Sequence, residues 1–505
     1  MAKNISKTNS SVGGYGYIIK CAISEGNLIL SEKTKFIVPL FRNITFRDSG
    51  KNLYFCSNCF KIKEIKFYFE CECQNCLDQF SFCSKMCRDA NLDLHSIICS
   101  KNNKFGQIAP DFLLSIKMAL EDFESDFFEH LIDKSKKSEQ KDKIEYFSKK
   151  IANLKFVDDK SLKLDEKALE IQNNLEKICQ IVKKCCFALK LPVFDEYPYA
   201  LSIFPKSSLF NHSCDPNCHV LFEENKIKFY SLKKIFFGEE LTFSYAQNIK
   251  IANLNKRLTF LKQNFDFDCL CSFCCNNKQN ENSENDEQNE NLINQSSDIQ
   301  APKPSYIEIY SKIDQILIEN GNKKDCIEAI KQILDQIENE KILKSKIFSE
   351  NSQNGQNLEI VDKIANIAIL TKQWSIGYKT TKMALQILKQ FFQTSKNPKN
   401  KKIYLKKKKE NPKREQNKIS FYPLLELKMR ILLILFKSLN IKTENEYFEA
   451  ENEMFEEAEK ARVLLKKYYG EDDWKKVLDI LERVHRGFCS VTKIIDSVDG
   501  YFGYN

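Results

Sequence analysis

An α+β fold in two unequal parts is what this sequence predicts: a strand-bearing, metal-pinned half up to about residue 275, then an all-helical half from about residue 304. Three observations carry the expectation. NHSCDPNC at 211–218 and GEELTFSY at 238–245 read as two sharp turns, the second running into an alternating strand that ends on Tyr245. Short cysteine repeats of metal-ligand spacing recur before and after these strings. Beyond residue 304 the apolar residues keep helical spacing throughout.

Taken in order, residues 1–50 open with VGGYGYIIKCAISEGNLIL at 12–30, a glycine turn between two strand-like runs. Residues 51–99 hold Cys56-x-x-Cys59, Cys73-x-x-Cys76, Cys83-x-x-x-Cys87 and His95-x-x-x-Cys99, eight ligands for two tetrahedral zinc ions. Segments this short lack a core of their own, so bound zinc would supply the folding energy. Residues 100–190 return to helical spacing in FLLSIKMALEDF and ALEIQNNLEKICQIVKKCCFAL, with a Lys-rich stretch between them. Residues 191–268 carry the two turn motifs, and 269–275 end the half with Cys269-x-Cys271-x-x-Cys274. That spacing turns three thiolates toward one point. Tetrahedral zinc needs a fourth ligand, for which Cys214 is the candidate; the plain alternative is a set of buried free cysteines. Residues 276–303 form an Asn- and Glu-rich low-complexity linker with too little apolar content to pack. Residues 304–505 follow, with amphipathic segments near 305–340, 360–393, 421–440, 447–469 and 473–496 and a basic insert at 396–418.

NHSC, the strand ending in Tyr245 and C-x-C-x-x-C, in this order and behind an eight-ligand finger, resemble the SET-and-MYND-domain protein lysine methyltransferases. The resemblance covers residues 1 to about 275 through specific motifs and the remainder through architecture alone. It implies a split SET β-fold with an inserted MYND zinc finger, a helical SET insertion, a post-SET zinc strip and a tetratricopeptide-like helical domain that walls one side of a substrate cleft. It implies three zinc ions: Cys56, Cys59, Cys83 and Cys87 on one; Cys73, Cys76, His95 and Cys99 on the second; Cys214, Cys269, Cys271 and Cys274 on the third. It also implies S-adenosylmethionine bound by Gly14, Tyr15, Gly16, Ser208, Phe210, Asn211, His212, Tyr245 and Phe267. Tyr245 would be the catalytic residue and Phe265 would line the substrate channel, where the family has a second tyrosine.

Three departures from the family pattern bear on activity. Tyr15 stands where the family has a basic residue, Cys185 where it has an amide, and Phe265 where it has a hydroxyl. A thiol is a poor substitute for an amide's paired donor and acceptor. In the finger, Arg88 and Leu92 replace the Gln and Trp that build a peptide groove in the MYND modules that capture proline-rich peptides.

Composition sets the remaining expectations. At 505 residues the chain is long enough for three or four domains. Twenty cysteines without an opening apolar segment point to a reducing compartment, cytoplasmic or nuclear, rather than to a disulfide-built secreted protein. The longest apolar run, Ile431 to Phe436, is too short to span a bilayer, and no membrane partner is expected. Residues 396–418 carry eleven Lys and Arg against two Glu, an excess that equals the formal net charge of +9. The rest of the metal-loaded body is therefore acidic, which suits a lysine-rich protein substrate and disfavours nucleic acid. The insert reads as a solvated loop, with nuclear import as the alternative. A monomer is expected, with the helical domain free to take protein partners. The enzyme reading has two rivals of other classes, a non-catalytic adaptor that keeps the zinc scaffold and, resting on the basic insert alone, a nucleic-acid-binding zinc protein.

Overall fold

The computed structural model describes residues 4–10, 14–40, 43–45, 52–63, 80–99, 104–106, 108–123, 128–129, 140–156, 163–190, 198–245, 254–275, 358, 361–366, 368–369, 373–394, 422–484 and 495. Cys73, Cys76, the linker, the segment near 305–340 and the basic insert lie outside these residues.

The N-terminal half is built from short strands. β1 (Ile5–Asn9) and β2 (Tyr15–Ile19) form an antiparallel hairpin with Thr8 opposite Gly16. β3 (Leu28–Lys33) is followed by β4 (Ile37–Pro39) and by a small meander of β5 (Asn43–Thr45), β6 (Asn52–Phe55) and β7 (Ile62–Lys63). Two short helices, α1 (Lys85–Asp89) and α2 (Leu92–Ile98), close the cysteine-rich finger, and the Ser84 side chain caps α1 by accepting from the Cys87 amide.

Three longer helices follow: α3 (Pro110–Leu120), with proline in its first turn, α4 (Lys141–Phe156) and α5 (Leu164–Cys185). Their apolar faces share one buried cluster with the finger, in which Phe82 and Leu94 meet Phe112, Phe147 and Ile178. The helical insertion ends earlier than the sequence suggested. Phe187–Lys190 is a strand, β8, because Phe187 and Leu189 alternate inward on pairing with β9 (Pro198–Ser202), which in turn pairs with β4.

β10 (Asn211–His212) comes next, then the hairpin of β11 (Cys218–Glu223) and β12 (Lys226–Ser231), whose outer partner is β3. β12 lies between two strands and under the C-terminal helices, which is why five of its six residues are buried. β13 (Thr242–Phe243) runs parallel to β10, so two segments separated by the whole β11–β12 hairpin are clasped together. The Asn217 side chain ties the clasp by accepting from the Thr242 amide and donating to the Glu240 carbonyl. The alternating LTFSY string forms a strand only over this two-residue overlap, and Tyr245 lies just past it. Helix α6 (Leu254–Phe265) leads to the last cysteine motif.

The C-terminal part is helical in its described residues: α7 (Trp374–Thr394), α8 (Tyr422–Asn440) and α9 (Glu444–Val484). Gly470, at φ 71°, breaks α9 where the sequence suggested two helices. These helices share one core with the strands, in which Phe229 and Tyr230 join Leu432, Phe436, Leu465 and Trp474. The junction is polar as well. Asp473 accepts from Lys228 Nζ at 3.1 Å, from the Tyr230 hydroxyl and from Lys476, and His219 Nε2 donates to the Tyr468 carbonyl at 2.8 Å. Gly26, at φ 78°, sits so close to the Lys467 carbonyl that any side chain there would collide with it.

Candidate active site and metal centres

A cavity of about 460 Å³ opens between the β1–β2 hairpin, the β8–β9 pair, the β10–β13 clasp and the end of α6. Of the residues that the sequence assigned to a cofactor or substrate site, Gly14, Tyr15, Ser208, Phe210, Asn211, Tyr245, Phe265 and Phe267 line it. Gly16 and His212 are not among the lining residues.

The strands explain that split. Successive residues in a strand face opposite ways. Asn211 faces the cavity wall, where its amide donates to the Tyr15 carbonyl at 3.1 Å and to Glu240 Oε1 at 2.7 Å. His212 therefore turns behind it and is buried. Its Nδ1 accepts from the Tyr245 amide at 3.0 Å, which leaves the proton on Nε2, 3.2 Å from Cys214 Sγ. Burial pushes the His212 pKa down to about 4, so the ring is neutral. Gly16 likewise turns away from the cavity. A Cβ there would collide with Glu240 Oε1 and fall 2.8 Å from Asn211 Nδ2, so glycine makes room for the Asn211–Glu240 bond.

Tyr245 is fixed at both ends. Its amide is held by His212, and its hydroxyl donates to the Phe210 carbonyl at 2.8 Å. Burial, with lesser contributions from Cys185 and Glu240, raises its pKa further, so the phenol stays neutral and its oxygen remains an acceptor toward the cavity. Phe243, Phe265 and Phe267 surround the ring at centroid distances of 5.0, 5.1 and 6.2 Å. Beneath them Phe210 stacks on Phe229. The result is an aromatic chamber with one oriented hydroxyl.

Cys185 and Cys186 line the same cavity, and burial raises their pKa values to about 12 and about 11, so both are neutral thiols. Glu240, Phe128, Phe260 and Asp266 escaped the sequence reading. Glu240 had a usable signal as the last residue of the Gly-Glu-Glu turn, and its carboxylate receives both Asn211 and the Ser10 hydroxyl. Phe128 and Phe260 reach the wall from segments distant in sequence, and no local pattern marks them.

Behind the chamber lies a buried group of four cysteines, Cys214, Cys269, Cys271 and Cys274. Their sulfurs lie 3.9 Å (Cys214–Cys269) and 3.4 Å (Cys214–Cys274) apart, close to the roughly 3.8 Å separation set by tetrahedral Zn–S bonds of ~2.3 Å. Cys56, Cys59, Cys83 and Cys87 form a second such group, with Cys59–Cys83 at 3.5 Å and Cys83–Cys87 at 3.6 Å. Hydrogen bonding within the first group drives Cys214 up and Cys271 down, since four adjacent thiolates cannot coexist without a cation. Both groups fit zinc. His95 and Cys99 are buried or half-buried around the end of α2, while Cys73 and Cys76, assigned with them to a further ion, lie outside the described residues.

Residues 14–246 match the family model described as SET domain. This stretch of the chain is similar to SET domains. The matched span begins at the Gly14 turn and ends one residue past Tyr245, so the SET domain contains most of the cavity wall, and the 269–274 cysteines follow it. The histone-lysine N-methyltransferase ASHR1 of Arabidopsis thaliana is 23% identical over 274 residues, covering 50% of this chain and 51% of that protein. The human histone-lysine N-methyltransferase SMYD1 is 37% identical over 87 residues, 15% of this chain and 17% of that one. A SET and MYND domain-containing protein of Dictyostelium discoideum is 32% identical over 111 residues, 22% and 28% of the two chains. The chain thus spans about half the length of the first relative and under a third of the other two. The resemblance to SET-and-MYND-domain proteins read from the motifs is borne out by these relatives.

Proposed function

We propose that this chain transfers methyl groups from S-adenosylmethionine to lysine side chains of proteins. The observation that carries the reading is the chamber in which a neutral, hydrogen-bonded Tyr245 faces Phe265 and Phe267 beside Asn211, with a four-cysteine group directly behind. When bound, the cofactor supplies an electrophilic methyl on a sulfonium. Phe267 would pack on its adenine, and Gly14, Tyr15, Ser208, Phe210 and Asn211 would hold the rest. The Tyr245 oxygen would align the methyl with the incoming amine, the kind of positioning that one-step displacement rewards. Phe265 would wall the lysine channel. An amine with a reference pKa near ~10.4 must enter neutral, and the apolar rings favour its deprotonated form by withholding water.

In this reading the strands are a split SET fold, residues 51–99 a MYND finger whose second ion takes Cys73, Cys76, His95 and Cys99, and residues 304–505 a tetratricopeptide-like wall for protein partners. His212 supports Tyr245 and the metal site rather than touching the cofactor. The adaptor alternative draws on one observation, the two neutral thiols Cys185 and Cys186 in the cavity wall, which offer the cofactor no amide. Calorimetric titration of zinc-loaded protein with S-adenosylmethionine separates the two. Heat of binding, together with methylation of a lysine-rich protein that Tyr245→Phe abolishes at nearly unchanged cofactor affinity, is the expected result; no heat, or tight binding without methylation of any protein on a broad array, would leave the adaptor.

A further inference from the structure

The turn that enters β13 carries an exposed aromatic pair with no part in the chamber. Phe236 and Phe237 are 54% and 76% exposed, although the residue before them, Ile235, is fully buried. The turn is a hydrogen-bonded one: the Glu239 amide donates to the Phe236 carbonyl at 3.1 Å, and Gly238 takes φ 80° at the third position. Its base is clamped to the strand leading out of β2. Ile235 and Ile23 exchange two backbone bonds of 2.9 Å, and the Gly238 amide donates to the Ile19 carbonyl at 2.9 Å. The rings are therefore held out by a stiff support, so little conformational entropy remains to be lost when they are covered.

Exposed lysines flank the pair. Lys234 Nζ lies 5.1 Å from the Phe236 ring, and Lys20 follows directly on Ile19, the residue that clamps the turn. Lys233 is tied to Asp215 at 3.3 Å, and Glu239 is the exposed carboxylate of the turn, so the rim is modestly cationic. Two adjacent rings on a four-residue turn offer a folded protein little area to bury. They suit a soft surface into which rings can sink while lysine stems extend beside them.

We infer that this turn is a peripheral anchor for an anionic phospholipid surface, with Phe236 and Phe237 entering the headgroup boundary and Lys20 and Lys234 meeting lipid charge. The contact lies on the surface and needs no span; none of the described helices is long and apolar enough to cross a membrane. It revises the expectation of no membrane partner and is independent of the methyltransferase reading.

The test is flotation of the full, zinc-loaded chain with vesicles of phosphatidylcholine alone or with about a third phosphatidylserine. Wild type should float with the anionic vesicles and not with the neutral ones. The double substitution F236S/F237S should lower the partition roughly tenfold or more, and K20E/K234E should lower it in a salt-dependent way. Both pairs are exposed, and unchanged zinc content and circular dichroism would verify the fold. Flotation retained by F236S/F237S would place any lipid contact elsewhere and overturn the inference. So would absence of wild-type flotation, or capture of a protein partner by the two rings without any vesicle binding.

Discussion

Replacing Asp473 by Asn tests whether the helical part is locked onto the strands through one carboxylate. Asp473 and Lys228 are each only 9% exposed in their side chains, and Asp473 also receives the Tyr230 hydroxyl and Lys476. Breaking a buried pair by removing one member costs about 3–5 kcal/mol. Here Lys228 keeps Glu223 at 2.6 Å, and Asn retains one acceptor, so about 2 kcal/mol is expected. The pKa of Asp473 points the same way. Burial works against its ionisation, but hydrogen bonds from Lys476, Tyr230 and Lys228 win and lower its pKa from 3.8 to about 2, which is worth about 2.5 kcal/mol at ~1.4 per unit. Because the folded value lies below the unfolded one, this stability is present above about pH 4 and is lost as pH falls through about 2. Urea unfolding of zinc-loaded protein at neutral pH, where the thiolates keep their metal, should show a gap of that size between wild type and Asp473→Asn when followed through the buried Trp474. A gap under about 0.5 kcal/mol, the scale of an exposed ion pair, would refute the lock.

Cys214→Ser should release one zinc ion per chain in native mass spectrometry, leave the Cys56 group loaded, and weaken cofactor binding because His212 loses its sulfur partner. Gly16→Ala should force Glu240 and Asn211 apart and weaken cofactor binding about tenfold, roughly 1.4 kcal/mol, in calorimetry, with thermal stability little changed; unaltered affinity would remove the Asn211–Glu240 bond from the site. Phe265→Tyr should place a hydroxyl beside Tyr245, where the rings are 5.1 Å apart, and shift products on a single-lysine peptide toward the monomethyl form. An equal ratio of mono- to dimethyl product in the two proteins would leave Phe265 as packing alone.

The parts of the site that could be read in the sequence are those whose chemistry is local. C-x-C-x-x-C fixes three sulfurs by spacing, and Cys214 completes the group as anticipated. The Gly14 turn and Tyr245 also fall on the cavity. The resemblance assigns Asn211 and His212 alike to the cofactor, yet strand alternation sends one to the cavity and the other to the sulfurs. That outcome depends on β10 pairing with β13, a partnership between segments about thirty residues apart that no local pattern encodes. The opposite wall was less legible still. Phe128, Cys186 and Phe260 come to one cavity only through tertiary packing, and the amphipathic pattern of a helix says which face is buried but not against what.

The close approach of Gly26 to Lys467 bears on how the chain is made. Lys228 and Asp473 stand 245 residues apart in sequence, and Gly26 meets its partner across a still longer span. During synthesis the strands emerge long before α9, so their apolar face, including Phe229 and Tyr230, must wait incompletely covered until that helix arrives. Closing so long a loop adds little entropy per further residue but much delay. The two helices of the finger pack with α3 to α5 instead, so the finger is spared that wait and its cysteines can take up their metal while the rest is still being translated.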